Sequence, residues 1–204
     1  LRKRAGDTIQ ITDGKGRFYT AQIEHPDAEQ CSFKIIEQQE PTPALHSIML
    51  AISPTKNADR IEWLVEKATE FGVDDIFLMT CDHTERVYLK KDRLEKVAIS
   101  AMKQSLKARL PRIHDVQKFD TVLQLTADQK FIAVVDHSNP KHLQQMALPS
   151  STYLVLIGPE GDFSPAEVTK AVDNAFHKVS LGPSRLRTET AGLAACHILN
   201  LINC

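Results

Sequence analysis

Residues 153–167 read YLVLIGPEGDFSPAE, an apolar run that passes through a loop with two glycines into the start of a helix. Tyr153 to Ile157 are continuously apolar, which is typical of a strand buried on both faces of a parallel sheet. Ser164 can cap a helix, Pro165 suits its first position and Glu167 completes a capping box. The glycines therefore lie at the carboxyl end of a strand, where open α/β sheets bind ligands. A tight strand-to-helix turn would give the same pattern.

A second segment repeats this arrangement. Residues 179–191 read VSLGPSRLRTETA and run from a strand through a glycine loop into an apolar helix. Arg185, Arg187 and Glu189 make the loop more polar than a bare connection requires, although a solvated surface turn would also carry them. Because parallel strands end at the same edge of a sheet, we expect the two loops to form facing walls of one ligand crevice.

The rest of the chain predicts a two-part organisation. Residues 7–36 show the period-two alternation of short strands, and residues 38–43 contain a proline-rich linker. We therefore predict a small β unit over residues 1–42 and a second domain over residues 43–204. In the second domain, apolar runs alternate with amphipathic helices, which predicts a parallel sheet covered by helices. The strands are expected near 47–52, 75–79, 130–135, 152–157 and 177–181, and the helices near 58–71, 91–108, 140–147, 164–175 and 188–202.

Composition limits the classes of protein to consider. The chain has 204 residues, of which 42% are hydrophobic and 25% charged, enough for one core with a small appended domain. Its apolar runs are far shorter than the roughly 20 residues of a membrane span. Four scattered cysteines and eight histidines without ligand spacing favour a cytoplasmic protein with no metal site. The chain opens Leu1-Arg2-Lys3-Arg4 without an initiator Met or a signal peptide, so we expect upstream residues to be missing.

The two glycine segments resemble the signature of the SPOUT superfamily and, within it, the RsmE family of ribosomal RNA uridine N3-methyltransferases. The resemblance rests on residues 158–161 with Phe163, Ser164 and Glu167, and on residues 181–183 leading into 186–191. Weaker support comes from residues 67–73, Glu85-Arg86, and Gln104-Ser105 followed by Pro111. Residues 1–7 are similar to that family's PUA-like β-barrel, entered in mid-strand.

This resemblance implies an α/β fold: a parallel-sheet SPOUT domain with a C-terminal trefoil knot, preceded by a truncated PUA-like β-barrel that binds RNA. It also implies that S-adenosylmethionine is the cofactor, and that the apolar C-terminal helix contributes to a homodimer. The residues expected to contact the cofactor come from both loops: Ile157, Gly158, Pro159, Glu160, Gly161, Leu181, Gly182, Ser184, Leu186, Arg187, Thr188, Thr190 and Ala191.

The implied reaction is methylation of uridine N3 in small-subunit (16S) ribosomal RNA, within the assembled subunit. Arg187 is expected to stabilise the uracil anion formed when N3 loses its proton. Glu189 has three possible roles: it accepts the proton, it orients Arg187, or it only favours a helix N-terminus. Because the net charge is −1, local basic side chains must meet the RNA phosphates. The residues expected there are Arg2, Arg4, Lys56, Arg86, Lys107 and Arg109.

The chain departs from the family pattern at two places. Asp162 stands where the family usually has a second glycine, and Leu106-Lys107 where it has a Gly-Arg pair. Lys107 or Arg109 is expected to replace that arginine. The alternatives are a related SPOUT enzyme acting on another RNA and a non-catalytic RNA-binding protein. A nicotinamide dehydrogenase is disfavoured, because an early G-x-G-x-x-G segment is absent.

Overall fold

A computed structural model describes residues 3–40, 45–135 and 141–204. The first part is a three-stranded antiparallel sheet of order β1-β2-β3. Its strands are β1 (Thr8–Thr12), β2 (Phe18–His25) and β3 (Ser32–Gln39). The predicted β unit is present in the structure. The predicted boundary at residues 42 and 43 lies outside the described residues and stays a prediction.

The second part is built on a six-stranded sheet of order β6-β5-β4-β8-β7-β9, in which every pairing is parallel. The strands are β4 (Ser47–Ile52), β5 (Asp75–Thr80), β6 (Arg112–Lys118), β7 (Gln129–Ala133), β8 (Thr152–Ile157) and β9 (His177–Val179). The parallel sheet predicted from the sequence is confirmed. Strand β6 was not predicted, because this edge strand carries charged and polar side chains among few apolar ones.

Among the described residues, five helices connect these strands and a sixth follows β9: α1 (Ala58–Glu70), α2 (Lys91–Gln104), α3 (Phe119–Val122), α4 (Leu143–Met146), α5 (Pro165–Asp173) and, last, α6 (Thr188–Ile202). Helices α1, α2, α4 and α6 contribute to the core on one face of the sheet, and α3 and α5 to the core on the other. The short α3 was not predicted, and residue 140, where α4 was expected to begin, lies outside the described residues. None of the helices described is long and apolar enough to cross a bilayer.

The central strand β8 shows why this sheet is covered on both faces. Tyr153, Val155 and Ile157 pack into one core, and Leu154 and Leu156 into the other. All five are at most 2% exposed. Burying an apolar side chain of this size stabilises the folded state by roughly 1.5–3 kcal/mol. Because both faces of β8 are buried, every position gains from an apolar side chain, which explains the continuous run.

The helix signals read from the sequence are confirmed. The Ser164 hydroxyl accepts a hydrogen bond from the Glu167 N–H, and the Glu167 carboxylate accepts one from the Ser164 N–H, which forms the predicted capping box of α5. Asn57 caps α1 with a single bond, in which its side-chain oxygen accepts from the Asp59 N–H. Gly72 follows α1 with a φ of +78°, a left-handed conformation that glycine adopts without strain.

Helix α6 packs closely beneath the sheet. It contacts α1, β4 and β8. A Cβ added to Gly192 would lie 3.0 Å from Ile52 Cδ1 and 3.1 Å from Leu64 Cδ1, so glycine permits this approach. The chain path to α6 from β9 passes beside residues 141–143, which are joined to Ser180 by backbone hydrogen bonds. Since residues 136–140 are not described, the trefoil knot stays a prediction.

The β unit is joined to the second part by main-chain hydrogen bonds at one turn. The Gly16 N–H donates to the Ala108 carbonyl at 2.9 Å, and the Leu110 N–H donates to the Gly14 carbonyl at 2.9 Å. The Thr12 hydroxyl also donates to the Ala108 carbonyl at 3.1 Å. The segment after α2 therefore pairs with the turn between β1 and β2.

Helix α2 ends in a Schellman motif at one of the two departures from the family pattern. The Lys107 N–H donates to the Met102 carbonyl, and the Leu106 N–H donates to the Lys103 carbonyl. Leu106 has a φ of +53° and is 73% exposed. A leucine here adopts the left-handed conformation at a cost of about 1–2 kcal/mol and gains little burial in return.

We expect Leu106→Gly to raise the free energy of unfolding by about 1 kcal/mol, because glycine adopts this backbone conformation without strain. Chemical denaturation of both proteins measures the difference. Gln104→Gly is the matched control within the helix and should lower stability by up to about 1 kcal/mol. A Leu106→Gly protein no more stable than the parent would contradict the assignment of strain.

Candidate functional site

A cavity of about 720 Å³ opens at the carboxyl ends of β7, β8 and β9, and we call it the cleft. The lining comes from three loops, the start of α6 and Arg60 of α1. The loops contribute residues 133–135 at the end of β7, residues 157–160 with Asp162 after β8, and residues 180–187 after β9; α6 contributes Thr188 and Ala191. The two glycine loops read from the sequence therefore face one crevice, as predicted. The loop after β7 was not predicted to take part.

The structure brings most of the predicted cofactor residues into the cleft lining. These are Ile157, Gly158, Pro159, Glu160, Leu181, Gly182, Ser184, Leu186, Arg187, Thr188 and Ala191. The other two do not line it. Gly161 lies against His83, whose Cβ would be 3.1 Å from a Cβ added to the glycine, and Thr190 is exposed on the first turn of α6.

The first loop needs glycine for close packing. A Cβ on Gly158 would lie 3.1 Å from two ring atoms of Phe163 and 3.2 Å from the Phe163 backbone nitrogen. Phe163 itself is 7% exposed and belongs to the core beneath the loop. Phe163 therefore packs in the core and supports the first glycine loop from below.

The loop after β5 supports the first glycine loop from outside the cleft. The Ser164 hydroxyl donates to the Asp82 carboxylate at 2.6 Å, and the Asp82 N–H donates to the Glu167 carboxylate at 2.9 Å. His83 Nδ1–H donates to the Asp162 carbonyl at 2.9 Å. These three bonds fix the start of α5 and the tip of the glycine loop against residues 82 and 83.

Arg60 is a cleft residue that the sequence did not reveal, because a single arginine on an amphipathic helix carries no motif. Its Nε lies 3.8 Å from Glu189 Oε1. The Glu189 side chain is only 9% exposed, and its Oε2 has no hydrogen-bond partner among the described residues. Glu189 does not line the cleft. Its ion pair is therefore with Arg60, whereas one of the roles expected for it was to orient Arg187.

The cleft presents charges of both signs. Arg185 and Arg187 are exposed on its wall, together with Arg60 from α1. Within the described residues, the Arg187 guanidinium makes no ion pair, which leaves its positive charge available to an anion. Glu160 and Asp162 contribute carboxylates on the opposite loop.

Two of the predicted RNA-binding residues lie beside the cleft. Arg86 Nε donates to the Lys56 carbonyl at 3.0 Å, and the Lys56 N–H donates to the Glu160 carboxylate at 3.1 Å. The Lys56 ammonium lies 3.0 Å from Glu85, and this hydrogen bond raises the pKa of Lys56. Lys56 and Arg86 are thus connected to the first glycine loop through Glu160.

The other predicted RNA-binding residues do not line the cleft. Arg109 lies where the segment after α2 pairs with the turn between β1 and β2. Its guanidinium would lie 3.3 Å from a Cβ on Gly16. Lys107 ends the Schellman motif of α2, and the Arg4 N–H donates to Asp7 before β1. Arg2 lies outside the described residues.

The cysteines nearest the cores are poorly suited to nucleophilic chemistry. Burial raises the pKa of Cys196 to about 12, and burial also raises the pKa of Cys81. Because these pKa values are raised, both thiols are protonated at neutral pH. The thiolate, which is the reactive form, is therefore scarce at both positions.

Comparison with known proteins gives a consistent result over nearly the whole chain. A family model described as an RNA methyltransferase domain matches residues 41–200, and one described as an RNA methyltransferase PUA domain matches residues 1–36. The chain is 27% identical to ribosomal RNA small subunit methyltransferase E of Bacillus subtilis, over 96% of this chain and 82% of that protein.

Solved structures agree with these matches. A probable rRNA-methyltransferase from Porphyromonas gingivalis superposes with a TM-score of 0.93 at 43% identity, covering 99% of this chain and 87% of that one. Ribosomal RNA small subunit methyltransferase E from Neisseria gonorrhoeae, bound to S-adenosylmethionine, superposes with a TM-score of 0.89 at 25% identity, covering 99% of this chain and 86% of that one.

We expect Gly158→Ala to lower the free energy of unfolding by about 1–3 kcal/mol, because the added methyl group overpacks the loop against Phe163. Thermal and chemical denaturation measure the loss. A double-mutant cycle with Phe163→Leu tests the cause, since the smaller side chain removes the ring atoms nearest the methyl group. Strictly additive losses would show that the two sites do not interact.

Proposed function

Because the chain belongs to the RNA methyltransferase domain family, we propose that it transfers a methyl group from S-adenosylmethionine to N3 of a uridine in small-subunit ribosomal RNA. The observation that carries the proposal is the convergence of both glycine loops and Arg187 on one cleft. The names of the relatives support the ribosomal RNA substrate, and the resemblance to the RsmE family supports the uridine N3 position.

The residues present in the cleft fit this cofactor. S-adenosylmethionine supplies an electrophilic methyl group on a sulfonium centre when it is bound. The volume of about 720 Å³ falls within the range of small-molecule sites. Gly158 and Gly182 both line the cleft, and a Cβ on Gly182 would meet no atom within 4 Å, so a ligand can approach this backbone closely. Arg60 and Glu160, which both line the cleft, offer opposite charges to a ligand that bears both an amino and a carboxylate group.

Arg187 is proposed to stabilise negative charge on the target base. Uracil N3 carries a proton in the neutral base, and the transfer of this proton to solvent water spreads negative charge onto the carbonyl oxygens. A guanidinium placed beside those oxygens lowers the energy of the anion and of the transition state. Arg187 is exposed on the cleft wall at the N-cap of α6, where it can meet a base that enters from solvent.

Glu189 is proposed to act through Arg60. Its burial and the 3.8 Å separation from Arg60 Nε favour a positioning role, in which the carboxylate fixes the guanidinium on the cleft wall. The carboxylate also lies in the first turn of α6, where negative charge is favourable.

RNA phosphates are proposed to meet Lys56 and Arg86 beside the cleft, Arg4 before β1, and Lys107 and Arg109 after α2. Arg2, which lies outside the described residues, stays a proposed RNA contact. Because N3 lies on the Watson–Crick edge, the base must be unpaired or extruded before it reaches Arg187. The proposal includes a cytoplasmic location, and the four free thiols, Cys31, Cys81, Cys196 and Cys204, are compatible with it.

A strain that lacks the gene tests the target directly. N3-methyluridine blocks base pairing and stops reverse transcriptase, so primer extension across the small-subunit RNA should lose one stop in the deletion strain. The wild-type gene should restore the stop and the Arg187→Ala gene should not. An unchanged pattern of stops in the deletion strain would exclude this substrate.

The purified Arg187→Ala protein separates binding from chemistry. We expect calorimetry to give an affinity for S-adenosylmethionine within about threefold of wild type, and turnover to fall about 100- to 1000-fold. Lys96→Ala, which removes a positive charge from the exposed side of α2, is the control for net charge. Retained turnover would remove Arg187 from the mechanism, and failure of the wild-type protein to bind the cofactor would contradict the proposed function.

The proposal also includes a homodimer that uses α6, in which both clefts lie near the interface. Leu201 on α6 is 55% exposed and Trp63 on the neighbouring α1 is 42% exposed, so this surface retains apolar area. Light scattering after size exclusion should give about twice the 22.8 kDa of the chain. A mass equal to one chain would contradict the dimer.

A further inference from the structure

Asp162 adopts a backbone conformation that favours glycine, in the middle of the cleft wall. Its φ is +62°, and it is one of four non-glycine residues with a positive φ among those described. Aspartate tolerates this region better than most residues, because its short side chain can hydrogen-bond to nearby main-chain groups. The residue therefore combines a strained conformation with a side chain that glycine lacks.

The Asp162 carboxylate joins two separate loops of the cleft. Oδ1 accepts a hydrogen bond from the Phe163 N–H at 2.8 Å, within the loop after β8. Oδ2 accepts one from the Val135 N–H at 3.1 Å, in the loop after β7. Both acceptor atoms are thus engaged by main-chain donors, and such charge-assisted bonds are stronger than neutral ones.

The backbone of the same residue is held from the other side. The Asp162 N–H donates to the Pro159 carbonyl at 2.9 Å and closes a turn, and His83 Nδ1–H donates to the Asp162 carbonyl at 2.9 Å. Asp162 therefore connects the loops after β5, β7 and β8 through one residue. Two of these loops line the cleft.

We infer that Asp162 is a positioning residue for the cofactor: its carboxylate fixes the loop after β7 against the loop after β8, so that the cleft is held open in a ligand-binding shape. The inference rests on the proposed function, because the cofactor is the ligand whose binding it supports. Since both oxygens bind main-chain donors, the residue acts on the shape of the cleft and not through a charge contact with the sulfonium. A preorganised site binds more tightly because less ordering accompanies binding.

Three variants of the full chain separate the side chain from the backbone conformation. Asp162→Gly relieves the positive φ and removes both hydrogen bonds, so its thermal stability should match or exceed that of wild type while binding weakens. Asp162→Asn tolerates the same conformation but keeps only one oxygen acceptor for the two main-chain donors, so its affinity should lie between those of wild type and Asp162→Gly. Leu106→Gly relieves the same strain outside the cleft and should leave ligand affinity unchanged.

Calorimetry with S-adenosylmethionine and with its uncharged-sulfur product, S-adenosylhomocysteine, provides the readout. For Asp162→Gly we expect both ligands to bind about tenfold more weakly, by the same factor, as suits the loss of a charge-assisted hydrogen bond. Equal affinities in wild type and Asp162→Gly would overturn the inference. A loss confined to S-adenosylmethionine would also overturn it, because it would show a direct charge contact with the sulfonium.

The same titrations distinguish the two proposals. If wild type binds neither ligand, the proposed function fails. If wild type binds and Asp162→Gly binds equally well, only the role of Asp162 fails. A large fall in the melting temperature of Asp162→Gly would count against positioning, because it would show that the residue supports the fold as a whole.

Discussion

The parallel pairing of strand β8 with neighbours on both sides is the constraint on which the second part of the molecule depends. Residues 152–157 align in register with residues 47–52 on one side, and their segment 153–157 with residues 129–133 on the other. Both faces of the strand are buried, so helices must cover each side. Because the pairing is parallel, the chain leaves β7, β8 and β9 at the same edge of the sheet. The loops after these three strands therefore start at one edge of the sheet, and together they line the cleft.

The cleft is built mainly from main chain, and its side chains hold loops in place. Gly158 allows the loop after β8 to lie on Phe163, and Asp162 bonds to the neighbouring loop at Val135. The charged side chains in and beside the cleft differ in how far they are buried. Glu189 is buried against Arg60, whereas Arg187 is exposed on the cleft wall. Such a site suits a reaction in which the protein orients two partners and stabilises charge.

The sequence predicted the elements whose side-chain pattern matches their burial. The apolar run of β8 and the capping box of Ser164 and Glu167 both appear where expected. Strand β6 escaped prediction because Arg112 and Asp115 lie on a sheet edge, where polar side chains reach solvent and the apolar pattern fades. The sequence did not predict that Arg60 lines the cleft, because its position there depends on how α1 packs against α6. No local sequence pattern encodes that packing.

The sequence by itself determined the two glycine loops, the parallel sheet behind them and the family resemblance that points to S-adenosylmethionine. These follow from local signals, because strand burial, helix caps and glycine turns depend on residues close together in the chain. Only the tertiary structure decided that the loop after β7 and Arg60 join the cleft, that Glu189 pairs with Arg60, and that Asp162 bonds to Val135. These contacts join residues far apart in sequence, such as Val135 and Asp162, whose numbers differ by 27, so they exist only once the sheet brings its strand ends together.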